Sequence, residues 1–116
     1  MTGKEYEDYC KKLLEEVGYQ VIVTPRSGDQ GLDLIAHCGD PNVSWGYQCK
    51  RYSNPVGNRA VQEAYAGQAF YGCQYVSVVS NAGFTQAAKD LASRTHIFLW
   101  STEEFYSFLK EGEEDE

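Results

Sequence analysis

Residues 19–52 carry three short runs rich in β-branched and aromatic residues, separated only by turn-forming residues, and this succession constrains the fold more than any other feature. The runs are Tyr19–Thr24, Leu32–Cys38 and Val43–Arg51, each with strand character. Pro25 to Gly31 reads as a loop, and Gly39 to Asn42 as a turn. Links this short leave no room for crossover helices, so the three runs are expected to form an antiparallel meander. Two further runs, Tyr75–Ser80 and Ile97–Trp100, each follow a helical pattern, which makes each parallel to a neighbour.

The helices are marked by their ends. Thr2 and Glu5 form a capping box ahead of Tyr6, Tyr9, Cys10, Leu13, Leu14 and Val17, at helical spacing, and Gly18 stops the helix. Asn58 is expected to cap a second helix through Val61, Ala64, Tyr65, Gln68 and Ala69 to Tyr71, closed by Gly72. Thr85 caps a third, from Gln86 to Arg94. Ser101 and Glu104 form another capping box, opening a last helix that ends near Lys110. The expected class is α/β, a mixed five-stranded sheet flanked by helices in the order α-β-β-β-α-β-α-β-α. Residues 1–110 read as one domain, and residues 111–116 as an acidic, disordered tail.

At 116 residues the chain holds one domain with a real core and no second one. No apolar run approaches the roughly 20 residues of a membrane helix. An acidic helical stretch stands where a signal peptide would carry its apolar segment, so the expected location is the cytoplasm. Cys10, Cys38, Cys49 and Cys73 form no CxxC pair and have no histidine at zinc spacing; they read as reduced thiols, mostly buried. The net charge of −7 speaks against a nucleic-acid partner until its distribution is considered. Five acids fall within residues 111–116, and without them the charge is −2. Between Arg26 and Arg94 six bases outnumber five acids. The chain is still no basic-patch protein, and strong phosphate binding would need metal ions or a partner subunit.

The residues with chemical potential are Asp33, at the start of the second run, and Gln48 and Lys50 in the third. Gln48 and Lys50 are two apart and so share a strand face, with Cys49 pointing the other way into the core. If the two runs pair as a hairpin, Asp33 comes close to both. A carboxylate, an amide oxygen and the Cys49 backbone carbonyl supply the hard oxygen ligands that Mg²⁺ prefers. Lys50 would hold and polarise an attacking water and offset charge building on a phosphate. The competing reading is a cross-strand ion pair between Asp33 and Lys50 on a solvated face.

The wider pattern favours the first reading. Tyr6 and Glu7, Gly18 and Tyr19, then Gly28-Asp29-Gln30-Gly31-Leu32-Asp33-Leu34-Ile35-Ala36 follow in order. Tyr47-Gln48-Cys49-Lys50-Arg51-Tyr52 comes next, then Asn54-Pro55-Val56-Gly57, Ser80-Asn81-Ala82-Gly83-Phe84-Thr85 and Ala87-Ala88. This series resembles the catalytic domain of Mrr-like restriction endonucleases, within the PD-(D/E)xK nuclease superfamily, over most of the chain. The resemblance implies a restriction-endonuclease-like fold and hydrolysis of DNA phosphodiesters with Mg²⁺ or Mn²⁺. It maps the metal-binding acid onto Asp33, the variable D/E position onto Gln48 and the catalytic lysine onto Lys50. Glutamine departs from the superfamily's commonest acid but fits the QxK form of this branch. It leaves one negative charge fewer, so metal affinity should be weak before DNA phosphate joins the site.

Glu7 has two readings. Related nucleases carry a first-helix glutamate that helps bind metal; alternatively Glu7 is solvent-exposed and paired with Lys11. Asp29 either supports the site or simply forms a turn. The resemblance also suggests Gln68 as a helical glutamine that orients the site. Arg51, Arg59 and Lys89 are candidate phosphate contacts, as is the helix start at Thr85. His37 and His96 read as structural. DNA is the expected partner, with a homodimer for two-strand cutting and a separate DNA-recognition domain or subunit. The alternatives are a structure-selective nuclease such as a Holliday-junction resolvase, an inactive nuclease-fold binding module, and an RNA substrate.

Overall fold

The computed structural model describes residues 1–25 and 31–114, with side chains to residue 111. Helix α1 spans Gly3–Glu16, and both halves of its capping box are made: Glu5 N–H donates to Thr2 Oγ1 at 3.1 Å and Thr2 N–H to Glu5 Oε1 at 2.7 Å. Strands β1 (Gln20–Val23), β2 (Leu34–His37) and β3 (Trp45–Lys50) follow, then α2 (Asn58–Tyr71), β4 (Tyr75–Ser80), α3 (Gln86–Thr95), β5 (Phe98–Ser101) and α4 (Thr102–Glu114). The element order is the expected one.

The five strands lie side by side in sequence order. β1–β2 and β2–β3 are antiparallel, with Val23 opposite Leu34 and Leu34 opposite Tyr47. β3–β4 and β4–β5 are parallel, joined through α2 and α3. The sheet is thus the mixed one that the linker lengths imply.

One layer of helices packs on each face. Tyr6, Cys10, Leu13 and Leu14 of α1 and Phe105 and Leu109 of α4 bury against Leu34, Ala36, Tyr47 and Val79. On the other face, Val61 and Ala64 of α2 and Ala88 and Ala92 of α3 meet Leu32, Val76 and Val78. Burying side chains as fully as Leu14 and Val78 stabilises the fold by about 1.5–3 kcal/mol each. β3, at the centre, therefore sends Tyr47 and Cys49 to the α1 layer, while Gly46 faces the α2 layer against Leu32, Cys73 and Val76.

Several boundaries differ from the sequence expectation. β2 starts at Leu34 rather than Leu32, and β5 is shifted by one residue. The N-cap of α2 is Gly57 with no side-chain cap bond, and Asn58 is the first helical residue. The α4 backbone continues past Lys110 to Glu114; the rest of the acidic tail lies outside the described residues. Thr85 does cap α3, accepting from Ala88 N–H at 3.1 Å. All four cysteines are free thiols; Cys10 and Cys73 are buried, Cys49 half-buried and Cys38 exposed. Among the described residues no helix is long and apolar enough to cross a membrane.

Candidate active site

The site forms where β2 and β3 part. Their pairing runs from Ala36 opposite Trp45 to Leu34 opposite Tyr47, and Asp33 adds one more bond, its N–H donating to Tyr47 O at 2.8 Å. Beyond this point the next inward-facing N–H of β3, that of Cys49, has the Asp33 carboxylate as its acceptor, at 2.7 Å from Oδ2. A side chain thus takes the place of a backbone partner, and a cleft opens between the strands. Asp33 is itself braced from β1: its carbonyl accepts Thr24 N–H at 3.0 Å, and the Thr24 hydroxyl donates to Leu32 O at 2.6 Å.

The cleft holds about 210 Å³ and is lined by Glu7, Thr24, Asp33, Gln48, Lys50 and Glu63, among others. Asp33, Gln48 and Lys50 are therefore brought together as the hairpin geometry requires. Gln48 is 4% exposed, and its Oε1 has no hydrogen-bond partner among the described residues. Such an atom forfeits solvation without compensation, at about 1–3 kcal/mol, unless something else occupies the site. The N–H and C=O of one strand residue leave on the same edge, so the Cys49 carbonyl faces the side that β2 has vacated. The Cys49 side chain packs on the opposite face, where the neighbouring Cys10 thiol, and then burial, push its pKa well above the ordinary thiol range. Cys49 therefore stays a neutral thiol and offers the site backbone groups alone.

Glu7 lines the same cleft at 5% exposure. The alternative of a solvent-exposed glutamate does not hold, since Glu7 is buried; Lys11 pairs with Glu15 at 2.8 Å. Lys50 Nζ lies 3.7 Å from Glu63 Oε1 and 5.5 Å from the Tyr52 ring centroid. Glu63 is the residue that reading the sequence missed. Its signal is position: it sits three residues after Ala60 and four before Gly67, both buried, so this acid shares the small-residue face of α2.

The remaining candidates stand apart. Gln68 donates through Nε2 to Gln74 O at 3.3 Å, at the turn into β4, and does not line the cleft. Arg51 is exposed, with Nη1 3.4 Å from Tyr52 O. Thr85 is used within the fold: its hydroxyl caps α3 and its N–H donates to Val56 O at 2.9 Å. The segment from Ser80 to Thr85 braces the loop after β3, and Asn81 clasps Tyr52 N–H and C=O at 2.7 and 2.9 Å. Arg59 and Lys89 are exposed on α2 and α3. His37 bonds Val43 O at 3.0 Å through Nδ1, and His96 is the left-handed C-cap of α3, both structural roles as expected. Asp29 lies outside the described residues.

Among the described residues no three His, Cys, Asp or Glu side chains cluster as a metal site. The donor set is instead mixed: the carboxylates of Asp33 and Glu7, the unpartnered Gln48 Oε1 and the Cys49 carbonyl. All are hard oxygens, which suit Mg²⁺ or Mn²⁺ and not a soft-metal site.

Comparison with known proteins agrees with the fold. The restriction endonuclease family Mrr_cat matches residues 1–109. Among solved structures, the DNA modification-dependent restriction endonuclease AspBHI superposes with a TM-score of 0.71 at 16% identity, covering 93% of this chain and 31% of that one. A crystallised protein of unknown function gives 0.66 at 21% identity, over 94% of this chain and 66% of the other. EndoMS, in an EndoMS–dsDNA2 complex, gives 0.61 at 19% identity, over 90% and 46%. The chain thus spans from under a third to about two thirds of the length of these proteins. No curated protein matches it.

Proposed function

The chain belongs to the Mrr_cat restriction endonuclease family and is a restriction-endonuclease-like nuclease domain, and from that premise we propose that it is a divalent-metal-dependent endodeoxyribonuclease of the restriction type. The observation that carries this reading is the buried Gln48 Oε1, unpartnered among the described residues and set in one cleft with Asp33 and Lys50. A glutamine kept only for packing would have its amide satisfied.

Asp33, Gln48 Oε1, the Cys49 carbonyl and Glu7 would hold Mg²⁺ or Mn²⁺. The bound ion supplies Lewis acidity toward a phosphodiester and lowers the pKa of water. The chain's own residues do the rest. The Cys49 N–H fixes the Asp33 carboxylate in one orientation. Lys50 presents its ammonium to the cleft, where it orients a water for attack on phosphorus and balances the charge that grows on the phosphate oxygens. The low exposure of Gln48 and Glu7 keeps these groups out of bulk solvent, which strengthens their electrostatic effect. With a neutral amide at position 48, the site gains full affinity for the ion only when a DNA phosphate adds its charge.

DNA as substrate is supported by the family and by the DNA complex among the similar folds. Cutting both strands calls for two such sites, so a homodimer is part of the proposal, as is a further DNA-reading domain or subunit. The test is cleavage of supercoiled plasmid with Mg²⁺ or Mn²⁺, beside EDTA and Lys50→Ala controls. Nicked or linear product requiring both the ion and Lys50 is the expected result. Cleavage retained by purified Lys50→Ala protein would overturn the assignment.

A further inference from the structure

We propose that Glu63 is the positioning residue for Lys50, an inference that rests on the nuclease reading of the cleft. Two separate contacts converge on it. Its side chain places Oε1 3.7 Å from Lys50 Nζ. Its backbone carbonyl meets Gly31 so closely that a Cβ at Gly31 would overlap it. The first contact ties α2 to the strand that carries Lys50 and Gln48. The second ties the same turn of α2 to the chain two residues before Asp33. Glu63 therefore fixes the two halves of the site relative to each other.

The geometry suits positioning and not mere packing. A lysine side chain has four rotatable bonds and scatters its ammonium unless something holds it. At 3.7 Å the carboxylate acts through charge, beyond the range of a well-formed N–H···O bond. The three ammonium donors thus stay available for water and phosphate. The Tyr52 ring, 5.5 Å away, gives the cation a second neighbour. The Lys50 and Glu63 side chains are 18% and 35% exposed, so the pair is only partly screened by solvent. Because Gln48 is neutral, Glu63 brings a carboxylate to the Lys50 side of the cleft that position 48 does not provide.

The experiment compares wild type with Glu63→Gln, which keeps size and removes charge, and Glu63→Asp, which keeps charge and shortens reach. The Lys50 Cε methylene protons are followed by NMR, assigned with Lys50→Arg, and plasmid cleavage is measured in parallel. In wild type the two protons should give separate signals because the side chain is held. In Glu63→Gln they should merge, while kcat falls roughly 10–100-fold, as for other residues that orient a site ligand, and KM for DNA stays unchanged. Glu63→Asp should recover part of both. Separate signals in Glu63→Gln, or an unchanged kcat, would overturn the proposal. A wild-type protein inert on its own would instead count against the nuclease reading of the chain alone, and the Cε signals would still decide whether Glu63 holds Lys50.

Discussion

The Asp33 carboxylate accepts the Cys49 backbone N–H at 2.7 Å across the gap where β2 leaves β3. The residue proposed to hold the metal is thus also the acceptor that closes the sheet's ladder. The two roles separate by substitution. Asp33→Ala removes the acceptor and leaves a partly buried N–H unpaired, at about 1–3 kcal/mol of stability. Asp33→Asn keeps an oxygen for Cys49 N–H and should hold stability close to wild type. Both should abolish plasmid cleavage. Thermal unfolding beside the cleavage assay checks this; equal destabilisation by both variants would show that charge, and not the acceptor, closes the ladder.

Gln48 permits a test of the ligand reading that does not depend on turnover. Gln48→Glu places a carboxylate where Oε1 is buried and unpartnered. Without metal, desolvation of that charge should lower Tm. With Mn²⁺ the added charge should tighten binding and return stability, by about 2.7 kcal/mol when the ion stands at 100 times its Kd. Calorimetry with and without Mn²⁺ reads the difference. A Gln48→Glu protein whose Tm is indifferent to Mn²⁺ would place the ion elsewhere.

The element order and strand directions were legible because turn residues and linker lengths decide them. Asp33, Gln48 and Lys50 were legible as one group because side-chain alternation and hairpin pairing are local rules. What escaped depends on how helices sit on the sheet. Spacing along α2 places Gln68 and Glu63 on plausible faces alike, but only the packed helix shows Glu63 at the cleft and Gln68 at the turn into β4. The late start of β2 escaped for a related reason: composition cannot show that the Asp33 side chain replaces a backbone partner. Thr85 was legible as a cap, and that role occupies its hydroxyl.

Gly31 has φ +75°, and a Cβ there would overlap the Glu63 carbonyl. Gly31→Ala should therefore cost about 1–2 kcal/mol for the left-handed backbone and about 1–3 kcal/mol for overpacking against a helix backbone that cannot give way. Cleavage should fall further than stability alone explains, because α2 is displaced from Lys50. Gly39 is the control: its φ is +82° with nothing within 4 Å of an added Cβ, so Gly39→Ala should show the backbone cost alone. Urea unfolding of the two variants separates the contributions, and equal losses would mean that α2 does not press on Gly31.

The capping box of α1 gives the fold a pH dependence with a definite sign. The Glu5 pKa is lowered from its ordinary value, first by the hydrogen bond from the Thr2 backbone and then by that with the Thr2 side chain. A carboxylate whose folded pKa is depressed contributes stability that is present above its unfolded pKa and lost as pH falls through the folded one. Glu5→Gln should therefore lower Tm near neutral pH, and the gap from wild type should close in acid once both proteins carry a neutral side chain. The group is fully exposed, so salt should shrink the effect. Because α1 also carries Glu7, fraying at this end should loosen the cleft, so wild-type cleavage should fall in acid toward the level that Glu5→Gln shows at neutral pH. A Tm difference that stays constant from neutral pH into acid would show that the Glu5 charge has no part in the cap.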